Sequence, residues 1–220
     1  MKRFMKYLPQ LMLLMPLLLP LSACALSGSA IEGKVLEEGT NKPIPEAIVI
    51  ARWSGTAFSF VESPTVCVHV LTTTTDAEGK YRFPAWRKES PLKGVRDVRS
   101  IITAHKPGYE THSPPGYARS EEFKRNVRYL QPLTGGREER LKYLERIEQS
   151  ARACRSPEAE EKNLLPLYRA LYEEARSLAK TKEDQKITDG FLAGIEIIEL
   201  GYKEGMRRTL ERTEKRDRQP

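Results

Sequence analysis

Short apolar runs separated by turn residues fill the chain from residue 31 to residue 133, and they predict strands. The runs cover residues 31–36, 47–53, 65–75, 81–83, 99–105 and 126–130. Most of them are rich in β-branched residues or alternate apolar with polar positions, and Gly, Pro, Asn and Asp lie between them. Six or seven short strands with turn signals between them are typical of an antiparallel sandwich.

From residue 134 onward the apolar positions recur every three or four residues, which predicts helices. In the first helix these positions are Leu141, Leu144, Ile147 and Ala151. We therefore expect an α+β protein, in which an antiparallel β-sandwich over residues 31–133 is followed by a helical hairpin or three-helix unit over residues 134–220.

The helix boundaries follow from capping residues. Ser156, followed by a proline and acidic residues, predicts the start of a second helix, and Pro166 should kink or restart it. Thr181 with Asp184 resembles a capping box for a third helix. That region has glycines with close-packing spacing at 190, 194, 201 and 205. The mixed charges that follow predict a basic, fraying tail.

The first 23 residues have the composition of a secretory signal. Lys2, Arg3 and Lys6 precede an apolar segment that is too short and too rich in proline to span a bilayer as a helix. A basic segment, a short apolar core and then small residues are the parts of a signal peptide. We expect residues 1–23 to be removed.

The end of this segment, Leu21-Ser22-Ala23-Cys24, resembles the lipobox of bacterial lipoproteins. The resemblance implies that the Cys24 thiol is diacylglycerated, that the peptide is cut before it and that its new amine is acylated. Acylated Cys24 would anchor the protein in a lipid bilayer, with residues 24–30 as a lipidated tether. The lack of Asp after the cysteine implies the outer membrane, with the protein facing the periplasm or the cell surface.

The strand region carries a second resemblance. Its series IEGKV (31–35), KPIPEAIV (42–49), TTDAEGKYRF (74–83) and AHKPGYE (104–110) resembles the carboxypeptidase regulatory-like domain. The resemblance implies a small prealbumin-like (transthyretin-like) sandwich over residues 31–133. It implies little about activity, because this domain accompanies peptidases, receptors and many other surface proteins.

Charge narrows the range of partners. Loss of residues 1–23 removes three basic and no acidic residues, which lowers the formal net charge from +7 to +4. A small and dispersed excess on an exported chain argues against nucleic acid. Besides the bilayer, we expect the partner to be an envelope protein, peptide or glycan.

The histidines lack the spacing of a zinc peptidase. None of His69, His105 and His112 is followed by Glu three residues later, and H-E-x-x-H, G-x-S-x-G and P-loop motifs are absent from the sequence. We expect a non-catalytic binding or structural module without cofactor, metal or catalytic residues. The alternatives are a periplasmic metal-binding lipoprotein that uses Cys67 and His69, and an envelope enzyme with an unrecognised site.

Cys67 is open to three interpretations. Alternation along a strand places Cys67 and His69 on one face and the valines at 66, 68 and 70 on the other, toward the core. After lipidation only Cys67 and Cys154 keep thiols, and in an oxidising compartment they would form a disulfide that pins the helices to the sheet. The alternatives are a metal site of Cys67, His69 and either His105 or His112, and two unrelated free thiols.

The segment 106–123 is a long Pro/Gly-rich loop with Tyr109, His112, Tyr117 and Phe123. Loops of this length are often functional, and aromatic side chains suit ligand or partner contacts. These four residues are candidates for a ligand or partner loop, with packing against the body as the alternative.

Overall fold

The computed structural model describes residues 25–58, 63–89, 94–111, 126–156 and 159–218. Within them, nine strands precede four helices, and a 3₁₀ turn (Glu161–Leu164) lies before the second helix. The strands are β1 (Ala25–Gly28), β2 (Ile31–Glu37), β3 (Ile48–Thr56), β4 (Thr65–Thr74), β5 (Lys80–Phe83), β6 (Trp86–Glu89), β7 (Arg96–His105), β8 (Tyr109–Glu110) and β9 (Val127–Pro132). The helices are α1 (Arg137–Arg152), α2 (Leu165–Leu178), α3 (Lys182–Leu200) and α4 (Tyr202–Asp217).

Two sheets and the helices form three layers. The first sheet has the order β5-β2-β9-β8, the second has the order β4-β3-β7, and β1 pairs with β6 as a separate ribbon. The predicted α+β class, a β-sandwich followed by helices, is confirmed. The pairing of β2 with β9 is parallel, so the sandwich is antiparallel in most but not all of its pairs.

The second sheet is buried on both faces, which gives the protein two apolar cores. The sandwich core lies between the sheets and includes Val35, Val49, Trp53, Val68, Tyr81, Phe83, Ile102 and Leu130. The helix–sheet core lies between the second sheet and the helices and includes Ile50, Cys67, Val70, Leu144, Ile147, Leu167, Leu171, Phe191 and Ile198. The β4-β3-β7 sheet therefore carries apolar residues on both of its faces.

The predicted tether begins as a strand. Ala25–Gly28 pairs with Trp86–Glu89 as β1 and β6, and Leu26 packs against the sandwich core. Gly28 is needed there, because a Cβ at this position would overlap the Trp86 indole. Sequence analysis did not predict this strand, because its partner lies some 60 residues away in the sequence and the pairing leaves no local pattern.

The turn between β4 and β5 has the predicted form. Asp76 Oδ1 accepts hydrogen bonds from the backbone N–H groups of Glu78 at 3.0 Å and Lys80 at 2.8 Å. Gly79 has φ +69°, a backbone conformation that glycine adopts without a steric cost. The Asp side chain and the glycine together set this tight connection.

The second helix begins later than the sequence predicts. Ser156 Oγ accepts from the Ala159 N–H at 3.3 Å and so caps a turn, whereas regular helix starts at Leu165. Pro166 lies in the first turn of α2, where its missing N–H costs no hydrogen bond. The predicted restart at Pro166 is confirmed, and the predicted start at Ser156 is wrong.

The third helix starts at the predicted capping box. Thr181 Oγ1 accepts from the Asp184 N–H at 3.2 Å, and Asp184 Oδ2 accepts from the Thr181 N–H at 2.9 Å. The Lys180 N–H donates to the same carboxylate at 2.9 Å. These backbone donors, with the Arg137 guanidinium, lower the pKa of Asp184 to about 2.

The predicted fraying tail forms helix α4. Arg212 donates to Glu196 of α3 at 2.8 Å, and Arg216 donates to Asp189 of α3 at 2.7 Å. Gly205 has no Cβ that would collide with Ile197 of α3, so the two helices approach closely. Opposite charges on neighbouring helices, rather than an apolar stripe, order this segment, which is why apolar periodicity did not predict it.

None of the helices in the described residues is long and apolar enough to cross a membrane. All strands, helices and core clusters described above lie between Ala25 and Arg218. A chain that begins at Ala25 therefore keeps each of these elements and both cores.

Candidate functional site

A disulfide joins Cys67 to Cys154, as the favoured interpretation of these cysteines predicts. Their Cα atoms are 5.1 Å apart, within the usual range for a disulfide. Cys67 lies in β4 and packs in the helix–sheet core, and Cys154 follows the end of α1. The bond thus links the second sheet to the helical layer across 87 residues of sequence.

A β-bulge places His69 and Cys67 on opposite faces, so the predicted shared face is wrong. Trp53 of β3 lies opposite His69, and Ser54 lies opposite Cys67, which leaves Val68 as an extra residue in β4. A bulge of this kind reverses the alternation of side chains beyond it. Val68 accordingly packs in the sandwich core as predicted, whereas Val70 packs against the helices.

His69 is held among two indoles and one carboxylate. Its ring centroid is 4.4 Å from that of Trp86 and 5.3 Å from that of Trp53. Its Nδ1 lies 3.4 Å from Glu160 Oε2. Burial lowers the pKa of His69, Glu160 acts in the opposite direction, and Lys88 adds to the lowering. His69 is therefore a packed ring that connects β4 to the segment before α2.

His105 belongs to a second buried cluster at the other end of the sheet. Arg140 of α1 is 1% exposed, and its Nε donates to Glu174 Oε1 of α2 at 2.6 Å. Its Nη atoms donate to the backbone carbonyls of Lys106 and Tyr109. Glu174 Oε2 lies 3.4 Å from His105 Nε2. The cluster thus joins both helices to the end of β7 and the loop that follows it.

Within this cluster His105 is neutral. Burial and the Arg140 guanidinium lower the pKa of His105 to about 3. The Glu174 carboxylate alone would favour a protonated ring, but it already shares its charge with Arg140. A second cation in a site closed to water would lack hydration, so the neutral ring is favoured.

Sequence analysis did not identify Arg140 and Glu174 as candidate site residues, although the pattern of each helix indicates them. Arg140 lies four residues before Leu144 and Glu174 lies three residues after Leu171, so each occupies a helical position that faces the apolar core. Charged residues at such positions are rare unless they are paired. Their partner could not be predicted, because the two residues are 34 apart and on different helices.

Of the four candidate loop residues, Tyr109 is described, and His112, Tyr117 and Phe123 lie outside the described residues. Tyr109 is in β8, and its hydroxyl donates to Glu37 Oε2 at 3.2 Å. Its ring packs against the sandwich core. Tyr109 therefore contributes to packing at the start of the loop. Cys24, the predicted lipidation site, also lies outside the described residues.

An open groove of about 700 Å³ crosses one end of the sandwich. Its charged lining residues are the basic Lys34, Lys80 and Arg82 and the acidic Glu32 and Asp76. Arg82 pairs with Glu32 at 3.2 Å. Lys34 and Lys80 lie directly opposite each other in the pairing of β2 with β5, an arrangement of like charges that disfavours the sheet. The groove has the volume of a small-molecule site. Its basic side chains exceed its acidic ones by one, and this small excess at the two facing lysines favours an acidic ligand.

The arrangement that the metal hypothesis requires differs from the one observed. The sulfur of Cys67 is bonded to Cys154, and His69 faces the indoles on the other side of the sheet. Among the residues that the structure describes, no group of three or more His, Cys, Asp or Glu side chains is placed to hold a metal ion. Comparisons with protein-family models, curated proteins and solved structures found no match.

Proposed function

We propose that the protein is a lipid-anchored, non-catalytic binding module of the bacterial outer membrane, built on a carboxypeptidase regulatory-like sandwich. The observation that supports this proposal most is that the residues best suited to catalysis or metal binding have structural roles. Cys67 is in the disulfide, His69 is packed between indoles, and His105 is buried beside an ion pair. All three connect the sheet to the helices or to the segment between them.

The start of the described chain supports attachment close to a membrane. Ala25 directly follows the proposed lipidated Cys24, and it is already paired with Glu89 in the β1–β6 ribbon. A lipid on Cys24 would therefore hold the sandwich near the bilayer without a long flexible spacer. The acyl chains of a bacterial lipoprotein exceed what stable anchoring requires.

The groove beside Lys34 and Lys80 supports a binding role. It is lined by residues of the first sheet and by Thr73 and Thr74 of β4 in the second, and none of its lining residues belongs to the helices. A ligand with carboxylate or other acidic groups would relieve the repulsion between these two lysines. We propose that an acidic envelope protein, peptide or glycan binds here.

Labelling with palmitate in bacterial cells tests the anchor. The full-length chain should take up label and sediment with membranes. Cys24→Ala should take up no label and should be either uncleaved or soluble, because neither acylation nor cleavage before the cysteine can occur. The double variant Cys67→Ala/Cys154→Ala is the matched control, since it removes both other cysteines and should still be labelled. Palmitate label on Cys24→Ala, together with membrane attachment of that variant, would contradict the proposal.

Capture from envelope extract tests the groove, with the chain from Ala25 as bait. We expect Lys34→Glu/Lys80→Glu to lose the bound component and Lys203→Glu/Lys215→Glu, which changes exposed lysines of α4 by the same charge, to retain it. Equal capture by the two variants would show that the groove is not the binding surface.

A further inference from the structure

A set of cationic side chains lies on the helix-facing side of the second sheet, beside the end of α1. Ser54 of β3 is opposite Arg99 of β7, and Arg52 lies two residues before Ser54 and so on the same face. Arg52 and Arg99 are therefore diagonal neighbours, at a typical distance of about 7–8 Å. We call Arg52, Ser54 and Arg99 the arginine patch.

Arg52 is held in this patch without an acidic partner. Its Nε is buried and makes no hydrogen bond, and no ion pair of Arg52 or Arg99 occurs among the described residues. A cavity of only about 10 Å³ lies beneath Arg52, between Thr103 and Ile147, which leaves room for at most one water. Burial lowers the pKa of Arg52, as expected of a cation that has lost hydration.

The surroundings of the patch add positive charge. The disulfide brings the end of α1 next to Ser54, because Cys67 is the cross-strand neighbour of Ser54. Arg152 and Arg155 at this end share one carboxylate, that of Glu148, at 2.8 and 3.6 Å. On β7, Asp97 is an exposed acidic residue two positions from Arg99. Cations thus exceed carboxylates around the patch.

We propose that Arg52 and Arg99, with the Ser54 hydroxyl between them, form a binding site for a phosphate group. A guanidinium donates two parallel hydrogen bonds to an oxyanion. A carboxylate has oxygens for one such contact, whereas a phosphate has enough to accept from two guanidinium groups and a hydroxyl together. The phosphate would supply the negative charge that half-buried Arg52 lacks.

The phosphate has two possible sources, a free phosphate compound and the headgroup of a membrane lipid. The second source rests on the proposed anchor, which would hold β1 near the bilayer. A Cβ at Gly28 of β1 would overlap the indole of Trp53. Trp53 lies between Arg52 and Ser54 in β3, with its side chain in the sandwich core. The patch is thus at the same end of the second sheet as the strand that follows Cys24, but on the opposite face of that sheet.

The test uses the chain from Ala25, which keeps every described element and does not depend on lipidation of Cys24. One arm measures binding of inorganic phosphate by calorimetry, against chloride at equal ionic strength. The other arm measures sedimentation with phosphatidylcholine vesicles, with and without phosphatidic acid. The variants are Arg52→Gln and Arg99→Gln, and the control is Arg207→Gln/Arg208→Gln, which removes two arginines of α4 that pair with Glu204.

We expect each patch variant to weaken binding about tenfold or more, as loss of a charge-assisted contact does, and the control to bind as the parent does. Binding in both arms assigns the site to lipid headgroups, and binding of inorganic phosphate alone assigns it to a free compound. Arg99 is exposed, so Arg99→Gln keeps the test valid if Arg52→Gln fails to fold. Absence of phosphate binding in both arms, or equal binding by parent and Arg99→Gln, would overturn the proposal.

Discussion

His105 shows how a single side chain is defined by what surrounds it. The sequence suggested a ligand, because histidine titrates near neutral pH and binds metals. In the structure neither ring nitrogen makes a hydrogen bond, and burial, together with the Arg140 guanidinium, lowers the His105 pKa and keeps the ring neutral. The same residue type therefore serves as a neutral core residue here, and its pKa of about 3 has a consequence for stability.

The free energy of unfolding should fall as the pH is lowered from about 7.5 to about 4.5. The His105 pKa is lower in the folded than in the unfolded chain, so below about 6.5 the unfolded chain binds a proton that the folded chain excludes. This difference amounts to about 2–3 kcal/mol at pH 4.5. Urea unfolding of the parent and of His105→Gln at both pH values measures it.

Comparison with His105→Gln isolates the contribution of His105 to the pH dependence of stability. The comparison is required because His69 also has a lowered pKa and contributes in the same direction. His105→Gln should lose less stability than the parent over this pH range. An identical pH dependence in the two chains would show that His105 is not kept neutral by the fold.

At the scale of elements, two glycines of α3 allow the cost of overpacking between helices to be measured apart from the gain in helix propensity. A Cβ at Gly194 would overlap the ring of Tyr168 in α2, whereas a Cβ at Gly190 would meet nothing within 4 Å. Gly194→Ala should destabilise the protein by about 1–3 kcal/mol through overpacking. Gly190→Ala, one turn earlier, should stabilise it by about 0.5–1 kcal/mol, because alanine favours the helix.

Thermal unfolding of the two glycine variants beside the parent measures both effects. Opposite shifts of the unfolding temperature are expected. Stabilisation by Gly194→Ala would mean that α2 and α3 are further apart than the structure places them.

The connection between β4 and the end of α1 depends on the disulfide. In the chain-entropy model, closing a loop of 87 residues stabilises the fold by about 4–5 kcal/mol. Cys67→Ser, Cys154→Ser and the double variant should lose the same amount, since either single change removes the bond. Denaturant unfolding of the three chains tests this.

Thiol titration of the denatured parent without reductant provides the control for the cysteine variants. It should find no reactive thiol in the chain from Ala25. Two thiols per chain would contradict the disulfide, as would a double variant much less stable than either single one.

Sequence patterns predicted the elements whose signals are local. Alternation gave β2, β3, β4, β5, β7 and β9 to within a few residues, and the Asp76 turn and the Thr181 capping box follow from neighbouring residues. The face of His69 did not follow, because one extra residue at Val68 reverses the alternation and depends on the pairing with β3. Strand β1 and helix α4 were not predicted for the same reason. β1 forms by pairing with β6, and α4 is held by ion pairs with the acidic residues of α3.

The candidate sites could be predicted only in part. The pairing of Cys67 with Cys154 was predicted from the oxidising compartment that export implies, and because these are the two thiols that remain after lipidation of Cys24. The arginine patch and the cluster of Arg140 with Glu174 arise where distant strands and helices meet, and the sequence fixes neither the register nor the packing that brings them together.

Taken as a whole, the protein is a three-layer body in which the second sheet is the shared middle layer. The disulfide lies toward one end of this sheet, and the buried ion pair of Arg140 with Glu174 lies at the other. The helix–sheet core fills the space between them. We expect the sandwich and the helices to unfold together and to act as one rigid support for the groove and the arginine patch.

Thermal unfolding of the oxidised chain from Ala25, followed by two signals, tests this most directly. The two tryptophans of the chain, Trp53 and Trp86, both belong to the sandwich, so fluorescence reports the sandwich alone. Circular dichroism at about 222 nm reports mainly the helices. If the sandwich and the helices unfold together, both signals should show a single transition with the same midpoint. Loss of the helical signal at a clearly lower temperature, with the tryptophan environment unchanged, would contradict it.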